Sequence, residues 1–278
     1  MRLHHLNCTT MRPLGGPLIL GRHGARTLGC AMVCHCLVVE TAADGLVLID
    51  SGFGLGDVHD PRGRLGAAYL GLVRPELSES MTALRQLEAL GYRRDDVRHV
   101  ILTHMDADHA GGLSDFPAAT VHVYQRELDV ALTPRTLHDR ARYRPSHWAH
   151  RPRFRGYDER GEAWFGFRAV RDLEGLPPEV LLVPLTGHSH GHAAVAVDTG
   201  AGWLLHCGDG YFHRDEMRVG RSACPAGLRA FQAIVQADGG ARVANQDRLR
   251  ALVRERGDDV RVFSAHDAVE WEELAGLA

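Results

Sequence analysis

Lysine is absent from this 278-residue chain, so arginine supplies all 32 of its basic side chains. We attribute the absence to compositional bias, because no single function would require arginine at every surface position. The formal net charge of −3 is also small. It gives no electrostatic reason to expect binding to nucleic acid or to a membrane surface.

Long apolar runs and paired cysteines are missing as well. No stretch approaches the roughly eighteen apolar residues of a spanning helix, and residues 1–7 lack the pattern of a secretory signal. We therefore expect a cytoplasmic protein. The six cysteines form no CxxC pair and should be free thiols in a reducing compartment. Cys34 and Cys36 alternate along an apolar run, which favours core packing over metal binding.

Strand-like and helix-like segments alternate along the chain and predict an α/β fold with helices covering a sheet. Only twelve residues follow His266, so we expect a single domain over residues 1–278. Apolar and alternating patterns predict strands at 18–20, 31–39, 46–49, 96–102, 120–124, 180–184, 193–197, 203–205 and 260–263. Helical spacing and caps predict helices at 78–90, 125–132, 226–237 and 243–256.

The densest group of ligand-type side chains follows the apolar run 100–102. Residues 104–109 contain two histidines and two aspartates, and a glycine pair comes directly after Ala110. A strand that ends in such a loop gives rigid support to side chains converging on one point. Because side chains alternate in extended backbone, His104 and Asp106 should share one side. The turn at Ala107 should direct Asp108 and His109 to a second centre, so two adjacent metal ions are expected.

Three later strand ends carry further ligand-type residues, namely His188, Asp209 and His266. Any one alone would be weak evidence, but four such positions together indicate one metal site. Asp50 also ends a strand, in a glycine-rich loop. It could bind the amides of its own turn or support a metal ligand, and the sequence leaves both readings open.

The motif at 104–109 resembles the HxHxDH signature of the metallo-β-lactamase superfamily, with Asp106 where the family usually has histidine. The resemblance extends from Asp50 to His266 and implies a four-layer αββα sandwich. It implies that His104, Asp106 and His188 hold one divalent metal, that Asp108, His109 and His266 hold the other, and that Asp209 bridges them. Zinc is the first choice. Iron or manganese is the alternative, because a carboxylate is a harder donor than imidazole.

Two further histidines lie in the loop that carries His188. By the resemblance, His192 matches a second loop histidine of the family and would support a ligand. His190 replaces a common proline and could face substrate.

By the resemblance, a hydroxide shared by two metals attacks a carbonyl or phosphoryl centre. Asp108 and Asp209 would orient the nucleophile and transfer a proton, and Tyr211 would either donate to the oxyanion or pack in the core. The chain looks similar to N-acyl homoserine lactone lactonases and related ester hydrolases of small molecules. The alternatives are a non-haem di-iron redox enzyme of the same fold, a phosphodiester or thioester hydrolase, and a non-catalytic metal-binding protein.

Residues 133–168 interrupt the regular pattern. Eight arginines lie between Arg135 and Arg160, interleaved with aromatic residues. A long irregular segment within a compact domain is usually functional or disordered. We expect an Arg-rich insertion that is a substrate-facing lid, a contact in a homo-oligomer, or a solvated surface loop.

Overall fold

The computed structural model describes residues 1–20, 28, 30–158, 160–168, 173–220 and 222–276. A six-stranded sheet is formed by the first half of the chain, with the strands in sequence order. The first three strands pair antiparallel and the remaining ones join in parallel. They are β1 (Arg2–Met11), β2 (Met32–Glu40), β3 (Leu46–Ile49), β4 (Val97–Ile101), β5 (Thr120–Tyr124) and β6 (Arg153–Tyr157).

The second half of the chain forms another sheet, after a short hairpin of β7 (Ala163–Trp164) and β8 (Phe167–Arg168). Its spatial order is β12-β11-β10-β9, and the β11–β12 pair is parallel. These strands are β9 (Val180–Pro184), β10 (Ala193–Asp198), β11 (Trp203–His206) and β12 (Val260–Phe263).

The helices of the described chain are mostly short, and none of them is long and apolar enough to cross a bilayer. The α-helices are α1 (Gly16–Leu20), α2 (Leu55–His59), α3 (Pro61–Arg64), α4 (Ala67–Val73), α5 (Ala83–Ala89), α6 (Ala107–Ala110), α7 (Gln125–Leu132), α8 (Leu137–Arg142), α9 (Ala226–Val235), α10 (Gly239–Arg256) and α11 (Ala268–Leu274). Single 3-10 turns occur at Glu79–Met81, Arg94–Asp96, Gly111–Asp115, Pro145–Trp148 and Arg214–Met217.

The two sheets pack face to face, with helices on both outer faces. Successive residues of β2 show this, because Leu37 and Val39 pack between the sheets whereas Val38 packs on the outer side. This is the alternation that a strand buried on both faces requires. Leu249 and Leu252 of α10 cover the outer face of the second sheet. The expected αββα sandwich is confirmed.

Most predicted elements are present, with shifted ends, but the N-terminal region differs. Residues 18–20 belong to the short helix α1 rather than to a strand. The edge strand β1 was not predicted, because its histidines and asparagine conceal the strand pattern. Those polar side chains find partners in β2, as His5 Nδ1 lies 2.8 Å from His35 Nε2. Helices α2 to α4 were also missed.

The Arg-rich segment 133–168 is structured over much of its described length. It contributes α8, a 3-10 turn and β6, which adds a parallel strand to the edge of the first sheet. Tyr143 and Trp148 are buried in the core. The segment is therefore not a solvated loop throughout, whereas a lid or an oligomer contact stays a prediction.

Asp57, on α2, is a fully buried acid that joins separate parts of this region. Its carboxylate accepts from Arg64 Nε at 2.8 Å and lies 2.9 Å from His147 Nε2. Burial opposes its ionisation, but bonds from His147, Arg64 and the Gly54 amide hold the pKa of Asp57 below its ordinary value. The contact therefore anchors the segment 133–168 to α2.

Asp57→Asn should lower the free energy of unfolding by about 3 kcal/mol, because it leaves the buried partners without a counter-charge. The folded-state pKa of Asp57 is depressed, so its stabilisation is full above the unfolded pKa of about 4. It is lost as pH falls through the folded value, and the variant should approach wild type in acid. Urea unfolding at pH 7 and below pH 4 measures both effects.

The matched control is Glu255→Gln, in an exposed pair with Arg254, which should change stability by less than about 0.5 kcal/mol. Equal effects of the two substitutions at pH 7 would contradict the assigned role of Asp57.

Candidate metal centre

The predicted ligands meet at one edge of the sandwich. Strands β3 and β4 are parallel, as are β11 and β12, so in each sheet two carboxyl ends lie side by side. The loops after β4, β11 and β12 carry residues 104–109, Asp209 and His266, and the β9–β10 loop adds His188. Separate parts of the sequence thus supply one site, as expected.

Six of the seven predicted ligands form two groups of three. The first is His104, His188 and Asp209, and the second is Asp108, His109 and His266. Within each group the potential ligand atoms lie within 4.8 Å of one another. Imidazole nitrogens and carboxylate oxygens at this spacing are a donor set that suits zinc and related divalent ions.

Asp209 belongs to the first group and also directs an oxygen to the second. Its Oδ2 is 3.3 Å from His188 Nε2 and 3.9 Å from His104 Nε2. Its Oδ1 is 3.2 Å from His109 Nε2 and 2.9 Å from His266 Nε2. This arrangement suits a carboxylate that would bridge two metal ions.

Several buried atoms of the cluster lie close to one another but make no well-aligned hydrogen bond to a described residue. They include His104 Nε2, His109 Nε2 and Asp209 Oδ1. Burial would lower the pKa of His109, but the charges of Asp209 and Asp50 outweigh burial and raise that pKa well above its ordinary value. The cluster therefore favours positive charge at its centre, and its residues fit a pair of divalent cations.

Backbone and side-chain contacts turn the ligand nitrogens inward. Asp50 Oδ2 lies 2.8 Å from His109 Nδ1, and the same carboxylate accepts from the amide and hydroxyl of Thr103 at 2.8 Å. His266 Nδ1 lies 2.7 Å from the Val33 carbonyl. Such partners fix the ring orientation and leave Nε2 for a metal. Of the two readings that the sequence left open, the structure favours support of a predicted ligand, because the amide that Asp50 binds belongs to the loop after β4 and not to its own turn.

His192 is outside both groups of three but contacts the backbone of Asp209. Its Nδ1 lies 3.0 Å from the Leu185 carbonyl, and its Nε2 accepts from the Asp209 amide at 2.9 Å. It contacts the backbone of a ligand, which fits the supporting role expected of it. His190 lies elsewhere, with Nε2 3.2 Å from Asp139 Oδ1 and a side chain that is partly exposed. A substrate contact for His190 stays a prediction.

Asp106 lies beside the first group but is not one of its three members. Its Oδ2 is 3.3 Å from His104 Nε2 and 3.2 Å from His188 Nε2. Its Oδ1 lies 3.3 Å from Arg142 Nε. The carboxylate is therefore shared between the histidines and an arginine that the sequence reasoning did not connect with the site.

Of the two roles that the sequence left open for Tyr211, the structure favours packing in the core over donation to an oxyanion. The tyrosine is fully buried beneath the second sheet's outer helix layer, and its hydroxyl donates to Glu270 at 2.9 Å. The neighbouring Phe212 instead stacks on the His266 ring, with centroids 5.2 Å apart. The turn after Asp209 therefore brings an apolar ring, not a hydroxyl, to the ligands.

Glu127 is a further residue that sequence reasoning missed. Its buried carboxylate accepts from the Met105 amide, the Tyr143 hydroxyl, the Ser189 hydroxyl and the Gly191 amide, at 2.7–3.0 Å. It thus joins two ligand loops to the segment 133–168. In sequence it is one acid in a short helix, and nothing distinguishes it from a surface glutamate.

The cluster opens to solvent on the side of two carboxylates. The side chains of Asp106 and Asp108 are 18% and 14% exposed, whereas those of the other five predicted ligands are at most 5% exposed.

Comparisons with known proteins agree with this geometry. The family model described as "Metallo-beta-lactamase superfamily" matches residues 31–266. The probable metallo-hydrolase Rv2300c of Mycobacterium tuberculosis is 42% identical over 267 residues, which are 96% of this chain and 80% of that protein.

Two solved structures share the fold at low sequence identity. One is an N-acyl homoserine lactone hydrolase with the product N-hexanoyl-L-homoserine bound at its catalytic metal centre, with a TM-score of 0.69, 19% identity, and coverage of 98% of this chain and 95% of that one. The other is AidC, a dizinc quorum-quenching lactonase, with a TM-score of 0.58, 16% identity, and coverage of 95% and 86%. With the family match and the ligand geometry, these findings show that the chain belongs to the metallo-β-lactamase superfamily of metal-dependent hydrolases.

Proposed function

We propose that this hydrolase uses two divalent metals to open a lactone or cleave an ester-type bond in a small molecule. The observation that supports a paired centre is Asp209, whose two oxygens face separate groups of ligands. We propose His104, His188 and Asp209 as ligands of the first metal, with one oxygen of Asp106 as a further donor beside them, and Asp108, His109, His266 and Asp209 as ligands of the second. Zinc is the first choice of metal, in keeping with a dizinc lactonase of the same fold.

The metals would supply Lewis acidity toward the acyl oxygen and a nucleophile derived from water at neutral pH. The protein's own side chains would hold and transfer protons at the point where the cluster opens to solvent. Asp108 is partly exposed, with Oδ2 3.5 Å from His266 Nε2, so it can accept a proton and return it to the leaving group. Asp209 is more deeply buried and directs both oxygens at imidazoles. We assign it to holding the metals, and we assign no catalytic role to Tyr211.

The charges around the opening favour a neutral acyl substrate over a phosphodiester. The two most exposed members of the cluster are carboxylates, Asp106 and Asp108. Among the described residues, Arg142 is the arginine that ion-pairs with the cluster, and its guanidinium also donates to two backbone carbonyls. It therefore offers little to a phosphate oxygen.

Protein loaded with zinc, manganese or iron should hydrolyse N-acyl lactones or simple esters faster than thioesters or phosphodiesters. Asp209→Asn should lower kcat/KM by more than about 100-fold, because a ligand loss exceeds the 10–100-fold cost of losing a supporting contact. A pH-stat assay over the four substrate classes measures the preference. The control is Asp158→Asn, at an exposed carboxylate, which should keep full activity.

Failure of all lactones and esters with every metal, together with turnover of a phosphodiester or thioester, would contradict the proposed substrate class. Oxygen reduction by the iron-loaded protein without hydrolysis would favour the di-iron redox alternative.

Asp50→Asn should weaken binding of one metal by roughly 10–100-fold. Asparagine keeps an oxygen for the Thr103 amide and tolerates the left-handed backbone at this position, where φ is 55°. It removes the negative charge 2.8 Å from His109 Nδ1. Competition with a chromogenic chelator measures the affinity. Asp44→Asn, in the β2–β3 turn, is the control, and equal affinities for the two variants would contradict a supporting role for Asp50.

A further inference from the structure

Arg142 enters the metal centre from the Arg-rich segment. It is the last residue of α8, and its side chain is only 7% exposed. Its Nη1 donates to the His188 carbonyl at 2.7 Å, and its Nη2 donates to the Val235 carbonyl at 2.6 Å. Because these N–H groups already donate to protein carbonyls, Arg142 is suited to hold neighbouring groups in position rather than to bind substrate.

The group that it holds is Asp106. Arg142 Nε lies 3.3 Å from Oδ1, whereas Oδ2 lies 3.2 Å from His188 Nε2 and 3.3 Å from His104 Nε2. The carboxylate therefore presents one oxygen to the first group of ligands and directs the other toward the guanidinium. In this orientation Oδ2 is the oxygen placed to bind a metal held by His104 and His188.

The contact between Asp106 and Arg142 should affect which metal ion binds, because it changes the charge and the oxygen donors beside the first group. A second free carboxylate beside His104, His188 and Asp209 would add a full negative charge and hard oxygen donors, which favour manganese or iron relative to zinc. The adjacent guanidinium offsets that charge and keeps one of the two oxygens directed away from the first group. An aspartate held in this way resembles histidine as a ligand, because its charge is offset and it offers the metal one donor atom.

We propose that Arg142 is a positioning residue that sets the metal preference of the first centre, by restricting Asp106 to one oxygen and offsetting its charge. This inference rests on the proposed paired-metal site. It also gives the segment 133–168 a specific function, because α8 supplies the guanidinium.

The test measures bound metal rather than activity. Metal-stripped full-length chain is exposed to equal concentrations of Zn²⁺ and Mn²⁺, desalted, and analysed for metals per chain by mass spectrometry. Arg142→Gln should shift the ratio of manganese to zinc upward by about tenfold, a size typical for residues that support a ligand. Arg140→Gln, at an exposed position on the same helix, is the matched control and should leave the ratio unchanged.

If Arg142→Gln folds poorly, two further variants provide the test, namely Asp106→His alone and Asp106→His combined with Arg142→Gln. Asp106→His should lose one of the two metals, because the arginine then faces an imidazole without a counter-charge. Adding Arg142→Gln to Asp106→His should restore the second metal. Circular dichroism of each metal-free variant checks the fold independently.

An unchanged metal ratio in folded Arg142→Gln, or no recovery in the double variant, would overturn the role of Arg142. Wild type that binds one metal or none would instead overturn the paired centre, so the two failures are distinguishable.

Discussion

The carboxylate of Asp209 is the contact on which the rest of the site depends. Among the predicted ligands, all of them in the described part of the chain, it alone faces both groups of histidines, and its backbone amide is fixed by His192. The preceding Gly208 has a φ of 51°, and a Cβ there would lie 2.7 Å from His192 Nε2. Glycine is thus required for Asp209 to reach its place. Both sheets must meet correctly before this carboxylate can join the two groups.

Concentrating so many acids at one edge requires counter-charges and donors from elsewhere, and the segment 133–168 provides them. Arg142 contacts Asp106, Tyr143 donates to Glu127, and His147 contacts Asp57. Each of these acids belongs to a different part of the chain around the site. The segment therefore holds α2 and the loops of the predicted ligands in place. This packing explains why it has buried aromatic residues within an arginine-rich sequence. Loss of one partner leaves a buried charge uncompensated, and that is costly.

The sequence predicted what periodicity and local ligand density can reveal, namely most strands and the meeting of the motif at 104–109 with His188, Asp209 and His266 at one edge. It failed where long-range partners decide the outcome. Glu127 and Arg142 resemble ordinary helix-surface residues until the fold brings their partners to them. The place of Tyr211 stayed open because spacing from Asp209 does not reveal the direction of the turn, and β1 was not recognised because its polar side chains pair across the sheet.

Anomalous diffraction from crystals of the metal-loaded protein, recorded on both sides of the zinc absorption edge, tests the paired centre most directly. Two peaks are expected on opposite sides of the Asp209 carboxylate, one beside His104 and His188 and the other beside His109 and His266. A single peak in fully loaded crystals, or two peaks with Asp209 bound to neither metal, would contradict that expectation.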